Sequence, residues 1–194
     1  MTRRQELSRK TSEVEITGSL DLDGTGVSNI ETGLGFLDHM LTALSKHSWI
    51  DLQISARGDT EVDDHHTVED CAIAIAEGLD RALGDRAGIA RFGSAYAPLD
   101  ESLARSVIDL SGRGWPEVRL DLVRDQIGEV ATENITHFFR SLAISGRMAL
   151  HLDVIRGDND HHKAEAAFKS TALALRSAIS RTGSDRVPST KGVL

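Results

Sequence analysis

A histidine-rich motif that occurs twice constrains this chain more than any other feature of the sequence. The first copy is Asp64-His65-His66-Thr67-Val68-Glu69, and the second is Asp160-His161-His162-Lys163-Ala164-Glu165. Each copy precedes a stretch with the apolar spacing of an amphipathic helix, so the motif falls in a first helical turn. The aspartate that begins each copy would suit the N-cap, because a short carboxylate accepts exposed backbone N–H groups there.

The spacing within the motif predicts one imidazole for each of two metal ions. On a helix, His65 and His66 lie four and three positions from Glu69, so the side chains share neighbouring rows. Consecutive side chains diverge by about 100°. The two imidazoles of a pair therefore cannot easily close on one ion, but two such helices facing each other would build a paired-metal site.

The other histidines strengthen this interpretation. Six of the 8 histidines lie in the two pairs or at one matching position upstream of each. His39 precedes its pair by 26 residues and His137 precedes its pair by 24. A single His-His pair with its neighbouring acidic residues could equally be an exposed helix start that binds nothing. The duplication favours metal binding.

Length, charge and cysteine content exclude several classes of protein. A chain of 194 residues is long enough for one core or two small similar halves. Its net charge of -8, without a basic tail or stripe, argues against nucleic acid or an anionic membrane as the main partner. The single cysteine, Cys71, excludes an internal disulfide and predicts a buried, inert thiol in a reducing compartment. Without an apolar signal segment or a membrane-length apolar run, we expect a cytoplasmic protein.

Alternating and helical patterns predict an α+β fold with an internal duplication. In the first half, residues 11–30 read as a hairpin turning at Asp23-Gly24-Thr25-Gly26. A helix, a strand and the first His-His helix are predicted at 36–44, 49–54 and 65–83. The second half has strands at 89–97, 103–110, 118–122 and 149–154, with a turn at 97–100, and helices at 131–145 and 160–180.

This order predicts a unit of the β-β-α-β-α type, present twice. The units cover about 10–86 and 87–182, and a tail follows at 183–194. Packing them together would join two sheets with a layer of four helices. The tail has no periodicity, and Ser189-Thr190-Lys191-Gly192 within it suits contact with an anion.

Six segments, in order and at matching spacings over nearly the whole chain, resemble the imidazoleglycerol-phosphate dehydratase family. They are Gly35-Phe36-Leu37-Asp38-His39-Met40-Leu41, Asp64-His65-His66-Thr67-Val68-Glu69-Asp70, Ile108-Asp109-Leu110-Ser111-Gly112-Arg113, His137-Phe138-Phe139, Asp160-His161-His162-Lys163-Ala164-Glu165-Ala166 and Ser189-Thr190-Lys191-Gly192-Val193-Leu194. No single segment would suffice, but six in register are specific.

The resemblance implies one dehydratase domain of the ribosomal protein S5 domain 2-like fold. It implies a lyase of histidine biosynthesis that converts imidazole glycerol phosphate to imidazole acetol phosphate and water. Two Mn²⁺ ions per active site are expected as cofactors. The partners implied are a small phosphorylated imidazole substrate and other copies of the chain, in a homo-oligomer of 24 subunits with cubic symmetry and active sites at subunit interfaces.

The resemblance also assigns roles by position. The implied metal ligands are the residues that the repeated motif and its upstream histidines supply: His39, His65, His66, Glu69, His137, His161, His162 and Glu165. The implied substrate-binding residues are Glu13, His47, Arg91, Arg113, Lys169, Ser189 and Lys191, of which the last five would hold the phosphate. The implied catalytic carboxylates are Glu13, Glu69 and Glu165. Glu13 is the candidate acid/base on family position alone, since the sequence pattern by itself makes it a strand-surface glutamate.

The chemistry explains a two-ion site. A proton must leave a carbon bonded to the imidazole ring, although no adjacent carbonyl can stabilise the charge. Two ions coordinated to the ring nitrogens would favour an imidazolate that expels the neighbouring hydroxyl through a diazafulvene-type intermediate. Mn²⁺ is compatible with a mixed imidazole and carboxylate set, which also accepts Zn²⁺, Fe²⁺ or Co²⁺. Since His39 and His137 lie on helices other than those of the pairs, we expect separate chains to complete each site.

Two departures from the family pattern and two competing functions remain open at this level. Ala43 stands where many relatives have glutamine, and Gly114-Trp115 replaces a proline-aromatic pair. The Asp-His-His triplets also resemble those of metal-dependent phosphoesterases, although further aspartate motifs are missing. A non-catalytic metal-binding cage would leave Arg91, Arg113 and the tail without a role.

Overall fold

The protein, described here as a computed structural model over residues 2–194, forms two four-stranded sheets with the same strand order. The first sheet has the order β1-β2-β4-β3, and its unit carries two helices. Its elements are β1 Arg4–Lys10, β2 Val14–Asp21, β3 Ser28–Glu31, α1 Gly35–Ser48, β4 Asp51–Gly58 and α2 His65–Leu83.

The second sheet has the order β5-β6-β10-β7, and a short hairpin of β8 and β9 precedes its first helix. Its elements are β5 Phe92–Leu99, β6 Ser102–Asp109, β7 Trp115–Arg119, β8 Gln126–Ile127, β9 Val130–Ala131, α3 Thr132–Ser145, β10 Ala149–Arg156 and α4 Asp160–Ala178. In the first sheet the edge strand β3 pairs in parallel with β4, and in the second the edge strand β7 pairs in parallel with β10. All other strand pairs in these two sheets are antiparallel. The α+β prediction, with two sheets and four helices, is confirmed.

The predicted hairpin at residues 11–30 is wrong. Strand β3 does not pair with β2; it lies in parallel on the far side of β4, with Ser28 opposite Leu52. The backbone N–H groups of Thr25 and Val27 both donate to Asp51 Oδ1, at 2.8 Å. These bonds carry the glycine-rich segment across the start of β4, so the chain crosses over instead of reversing.

Sequence reasoning also missed β1 and misplaced one turn. Strand β1 is an edge strand in which Leu7 alone is fully buried, so its sequence lacks the clear alternation that marks a strand. The turn expected at 97–100 lies at Asp100 and Glu101 instead, and Pro98 belongs to β5. Proline is tolerated there because β5 is an edge strand, where a missing N–H breaks no ladder.

The helices of one unit pack against the helices of the other, α1 against α4 and α2 against α3. Three fully buried rings, Phe138, Phe139 and Phe168, lie with centroids 4.6–5.5 Å apart and join α3 to α4. Aromatic contacts of this kind add to the free energy gained by burying the rings. The packing of α1 on α4 brings His39 to the second motif helix, and the packing of α2 on α3 brings His137 to the first.

Of the two predicted N-caps, Asp64 does occupy the N-cap position of α2 but makes no side-chain capping bond, whereas Asp160 is wrong by one residue. Asp63 Oδ1 accepts the N–H of His65 at 2.8 Å, while Asp64 instead accepts the N–H of Ala131 at 3.0 Å. Asn159 caps α4 by accepting the N–H of His161 at 2.9 Å. The predicted end of the first motif helix is observed, since α2 ends at Leu83 and Gly84 follows with φ 56°.

Cys71 lies on α2 and is fully buried, and burial raises the pKa of its thiol. This agrees with the predicted inert side chain. None of the helices in residues 2–194 combines the length and apolar character needed to cross a membrane.

Candidate metal centre and active site

The first candidate metal cluster joins helices α2 and α3. His65 and Glu69 lie one turn apart on α2, and His137 reaches them from α3. His137 Nε2 is 2.9 Å from Glu69 Oε1, and His65 Nε2 is 3.7 Å from Glu69 Oε2. The two imidazole rings stack with centroids 4.8 Å apart. Two imidazole nitrogens and a carboxylate oxygen thus converge within 4.8 Å of one another.

The second cluster repeats this arrangement across α1 and α4. Glu165 Oε2 lies 3.1 Å from His39 Nε2 and 3.3 Å from His161 Nε2. Its other oxygen, Oε1, is 2.6 Å from Lys169 Nζ one turn further along α4. Burial opposes ionisation of Glu165, but the hydrogen bonds from Lys169 and His39 outweigh it and lower the pKa of the carboxyl. The carboxylate is thereby kept in its ligand form.

Both clusters fit a divalent cation by their donor chemistry. Imidazole with carboxylate is a set that Mn²⁺, Fe²⁺, Co²⁺ and Zn²⁺ all accept. In each cluster the glutamate already contacts both imidazoles through Nε2, the nitrogens that would turn to a shared ion. These four glutamate–histidine distances are those of hydrogen bonds and ion pairs. Little rearrangement of the side chains is therefore required to replace the contacts with coordination to an ion.

The divergence predicted within each His-His pair is observed. His66 and His162 point away from their neighbours, with ring centroids 6.0 and 6.2 Å from those of His65 and His161 and rings nearly perpendicular. Neither belongs to the two clusters of converging ligand atoms found in residues 2–194. Within one chain, each cluster therefore holds two imidazoles and one carboxylate instead of the predicted three imidazoles and one carboxylate.

The helix positions of His39 and His137 are not a reason for separate chains to complete each site. His39 and His137 do lie on helices other than those of the pairs, yet each meets the motif helix of the other unit within the same chain. The helix packing of α1 on α4 and of α2 on α3 is the reason. The predicted histidine ligands that lie outside both clusters of residues 2–194 are His66 and His162.

Sequence reasoning missed the residues that contact the outward histidines. Asp59 Oδ1 and Oδ2 lie 3.1 and 3.2 Å from His66 Nδ1, and Glu101 Oε2 lies 2.8 Å from His162 Nδ1. These hydrogen bonds raise the pKa of both histidines. Asp59 belongs to an Arg-Gly-Asp turn that the sequence shows twice, a signal that could have drawn attention to it. Glu101 had no such signal, because it is 61 residues away from His162 in the chain.

A further missed residue orients the first cluster. Asn134 lies one turn before His137 on α3, and its Oδ1 is 2.8 Å from His65 Nδ1. Its Nδ2 donates to Asp64 Oδ1 at 3.0 Å, so the amide orientation is fixed from both ends. An oxygen facing Nδ1 places the ring proton there and leaves Nε2 free for a metal. The i,i+3 spacing of Asn134 and His137 is the sequence signal for this residue.

Two of the residues assigned to substrate, Lys169 and His47, lie close to Glu165 of the second cluster, and a third, Glu13, lies beside the outward His66. Glu13 lies in the turn between β1 and β2, not on a strand surface, and its Oε2 is 3.7 Å from His66 Nε2. Lys169 contacts Glu165, as above. His47 lies in the last turn of α1, and burial together with the charge of Lys169 lowers the pKa of its imidazole. A neutral imidazole at His47 can accept a hydrogen bond near that lysine.

The remaining phosphate candidates lie around the tail. Arg91 binds Asp109 through Nε at 2.7 Å and Nη2 at 3.1 Å, which raises the pKa of the guanidinium. Its Nη1 donates to the carbonyl of Pro188 at 2.7 Å, directly before Ser189. Ser189 Oγ accepts the N–H of Lys191 at 3.2 Å. Arg113, by contrast, is exposed near the end of β6. The structure thus joins Arg91 to the tail, but it does not gather all five phosphate candidates around one cluster.

The two departures from the family pattern have structural consequences. Ala43 is buried on the core side of α1. A Cβ at Gly114 would lie 2.6 Å from the Cα of Ile144, so α3 approaches too closely for a side chain. Trp115, the next residue, is 63% exposed and therefore does not fill the core.

Comparison with known proteins agrees with this geometry. The profile of the family described as imidazoleglycerol-phosphate dehydratase matches residues 32–175. The protein of that name from Chlorobium luteolum is 52% identical over 192 residues, covering 99% of this chain and 96% of its own. The one from Phytophthora nicotianae is 57% identical over 99% of this chain, which spans 42% of that longer protein.

Solved structures give the same result at the level of the fold. The crystal structure of imidazoleglycerol-phosphate dehydratase from Staphylococcus aureus is 38% identical, with a TM-score of 0.82, and the match covers 92% of this chain and 99% of that one. The structure from Pyrococcus furiosus is 35% identical, with a TM-score of 0.83, and the match covers 97% and 100%. The histidine motifs and both clusters fall within the matched region. The chain belongs to the imidazoleglycerol-phosphate dehydratase family.

Proposed function

We propose that the chain converts imidazole glycerol phosphate to imidazole acetol phosphate with two divalent cations, Mn²⁺ by preference, bound at the two histidine-glutamate clusters. Family membership makes it a hydro-lyase of histidine biosynthesis. The observation that carries the proposal is the pair of matching clusters, His65-Glu69-His137 and His39-His161-Glu165. One such cluster could be accidental, whereas two of the same composition suit a substrate ring with two nitrogens.

Ions held there would withdraw electron density from the substrate's imidazole ring, which takes the place of the missing carbonyl as acceptor of charge. The chain's own residues would bind and orient the rest of the substrate. Lys169, Arg91, Arg113, Ser189 and Lys191 would bind the phosphate, and charge-assisted hydrogen bonds to that dianion explain why an acidic protein needs the four cations among them. Glu69 and Glu165 would hold the ions through carboxylate oxygens while balancing their charge.

Proton transfer to and from the reacting carbon is assigned to Glu13. Its side chain is 49% exposed at the β1–β2 turn, so substrate can reach it, and its Oε2 lies beside His66 Nε2. A carboxylate in that position can accept a proton and return it to solvent. His47, kept neutral by burial and by Lys169, would contribute a hydrogen bond at the other cluster.

We further propose that the sites are completed between chains, in a large homo-oligomer of 24 subunits with cubic symmetry. The support is that His66 and His162 point away from their neighbours in each pair and belong to neither cluster within residues 2–194, while a carboxylate holds each Nδ1. Supplying each to a neighbouring copy would give every ion the third imidazole. A cytoplasmic location is part of the proposal, supported by one buried cysteine.

The activity test uses the whole protein loaded with Mn²⁺. We expect imidazole glycerol phosphate to be consumed with formation of the acetol phosphate, while generic phosphate esters release no phosphate. Phosphate release would favour an Asp-His-His phosphoesterase, and binding of Mn²⁺ without either reaction would favour a metal-binding cage. His137→Asn should abolish turnover, and His151→Asn, on the exposed surface of β10, is the matched control that should retain it.

The assembly test is separate. Because an ion bound by two chains stabilises their association, removing metal with a chelator should reduce the particle size or the melting temperature. Light scattering and thermal unfolding before and after chelation measure this. An unchanged size and melting temperature would show that metal binding and assembly are independent.

A further inference from the structure

We propose that Asp59 and Glu101 are positioning residues that fix the ring tautomer and orientation of His66 and His162. This inference rests on the proposed function, because it concerns how the two outward histidines are prepared as ligands. The two contacts are Asp59 Oδ1 and Oδ2 on His66 Nδ1, at 3.1 and 3.2 Å, and Glu101 Oε2 on His162 Nδ1, at 2.8 Å.

The direction of these hydrogen bonds follows from the chemistry of the partner. An ionised carboxylate can only accept, so each Nδ1 carries a proton, and in the neutral ring Nε2 then keeps its lone pair. That is the tautomer needed for coordination through Nε2. The same carboxylates limit rotation of the two rings, which neither cluster within residues 2–194 includes.

The two carboxylates come from different places in the two units. The repeated Arg-Gly-Asp turns place Asp59 in register with Asp158, yet Glu101 of the β5–β6 turn contacts His162. Asp158 instead donates its backbone N–H to Glu101 Oε1, at 3.2 Å. Two units that had merely kept a common backbone geometry would use matching residues. Different residues reaching the same ring nitrogen indicate a requirement of the site.

The surroundings of the two carboxylates differ in a way that gives unequal predictions. Glu101 Oε1 already accepts N–H groups of Asn159 and Asp158, at 2.9 and 3.2 Å, while Oε2 faces the ring. In Glu101→Gln the amide oxygen would stay with those two donors, so the NH₂ group would face His162 Nδ1. That arrangement would move the ring proton to Nε2 and disable the ligand.

Asp59 has both oxygens on His66 Nδ1. In Asp59→Asn the amide can turn its oxygen toward the ring and preserve the tautomer. We therefore expect Glu101→Gln to weaken Mn²⁺ binding by 10- to 100-fold, the range typical for residues behind a metal-bound histidine, and Asp59→Asn to have a smaller effect.

The experiment titrates the metal-free, full-length variants with Mn²⁺ by calorimetry and records the nitrogen-15 shifts of the histidine rings before metal is added. The signal of His162 is identified by its loss in His162→Asn. Support for the proposal is a weaker Mn²⁺ affinity in Glu101→Gln together with a shift of His162 to the Nε2–H tautomer. Glu117→Gln, an exposed acid of β7 paired with Arg119, is the matched control and should leave both measurements unchanged.

The possible failures are distinguishable. If the unmutated protein binds no Mn²⁺ and dehydrates no substrate, the proposed function fails. If the unmutated protein does both, and Glu101→Gln keeps the Nδ1–H tautomer with unchanged Mn²⁺ affinity, the positioning role is overturned. Should Glu101→Gln not fold, the ring signal of His66 in Asp59→Ala decides, because without any acceptor its Nδ1–H tautomer should no longer dominate.

Discussion

A buried ion pair at the start of α4 makes a quantitative prediction. Asp160 and Lys163 are both buried, and Lys163 Nζ lies 2.9 Å from Asp160 Oδ1. Asp160 Oδ2 accepts the N–H groups of Val123 and Arg124, at 2.8 and 2.7 Å, while Lys163 also donates to the carbonyl of Asp121 at 2.9 Å. The network fixes the segment before α3 to the helix that carries the second His-His pair.

Removing the charge of Asp160 should cost much less when the charge of Lys163 is already absent. In Asp160→Asn the amide oxygen can keep the two backbone donors, but its NH₂ group then faces the ammonium of Lys163. Breaking a buried pair on one side costs about 3–5 kcal/mol. In Lys163→Met the carboxylate keeps its two backbone donors, but its Oδ1 loses the ammonium and the carbonyl of Asp121 loses a donor, which costs about 3–5 kcal/mol as well. The double variant leaves no unpaired charge, so adding Asp160→Asn to Lys163→Met should cost less than about 1 kcal/mol.

The assay is urea unfolding of the metal-free protein at one fixed chain concentration, since association contributes to apparent stability. A double-mutant cycle over the four proteins should give a coupling free energy of about 3 kcal/mol between the two side chains. A coupling below about 0.5 kcal/mol would refute the reasoning, since the two charges would then be stabilised independently.

The same carboxyl gives a pH dependence of known sign. Burial opposes ionisation of Asp160, but the backbone N–H groups and Lys163 outweigh it and lower the pKa below its ordinary value. A lowered pKa in the folded state contributes stability above the unfolded pKa of 3.8, and this is lost as the pH falls through the lower folded value. Unfolding free energies of Asp160→Asn should lack this acid-limb contribution.

Three further predictions concern the tail, the packing of α4 and the acid/base. Asp109→Asn should weaken the contact between Arg91 and the carbonyl of Pro188 in the tail. We expect KM for the phosphorylated substrate to rise several-fold and proteolysis of the tail to become faster. If neither value changes, this role of Asp109 is wrong. Gly93→Ala should destabilise the fold by more than about 1 kcal/mol in thermal unfolding, because its Cβ would lie 2.0 Å from the carbonyl oxygen of Ala174. Glu13→Gln should bind Mn²⁺ and substrate normally but lose turnover in the dehydratase assay, and near-normal turnover would remove Glu13 from the mechanism.

Local pattern was sufficient for the helices. Apolar spacing placed α2 at 65–83 with Gly84 beyond its end, as observed. It also placed α3 within one residue at its start. These signals depend on residues three or four apart, so neither needs information about distant contacts. The two-unit division at about 10–86 and 87–182 stays a prediction, although both sheets share one strand order.

Strand order could not be read in the same way. Strand β3 follows a glycine-rich turn typical of a hairpin, yet it pairs with β4 because Asp51 binds the turn's backbone from the other side. The N-caps show the same limit on a smaller scale. Asp160 could cap a helix, but its carboxylate already binds Lys163 and the backbone N–H groups of Val123 and Arg124. Asn159 caps α4 instead.

The sequence by itself determined the ligand types, their duplication and the divergence of each His-His pair, because side-chain direction within one helical turn is a local property. Only the tertiary structure decided which histidine joins which glutamate. Packing of α1 on α4 and of α2 on α3 sets that partnership, through contacts between residues more than 60 positions apart. The tertiary structure also places Asp59 against His66 and Glu101 against His162. These contacts depend on where the turns that carry the two carboxylates lie beside the helices.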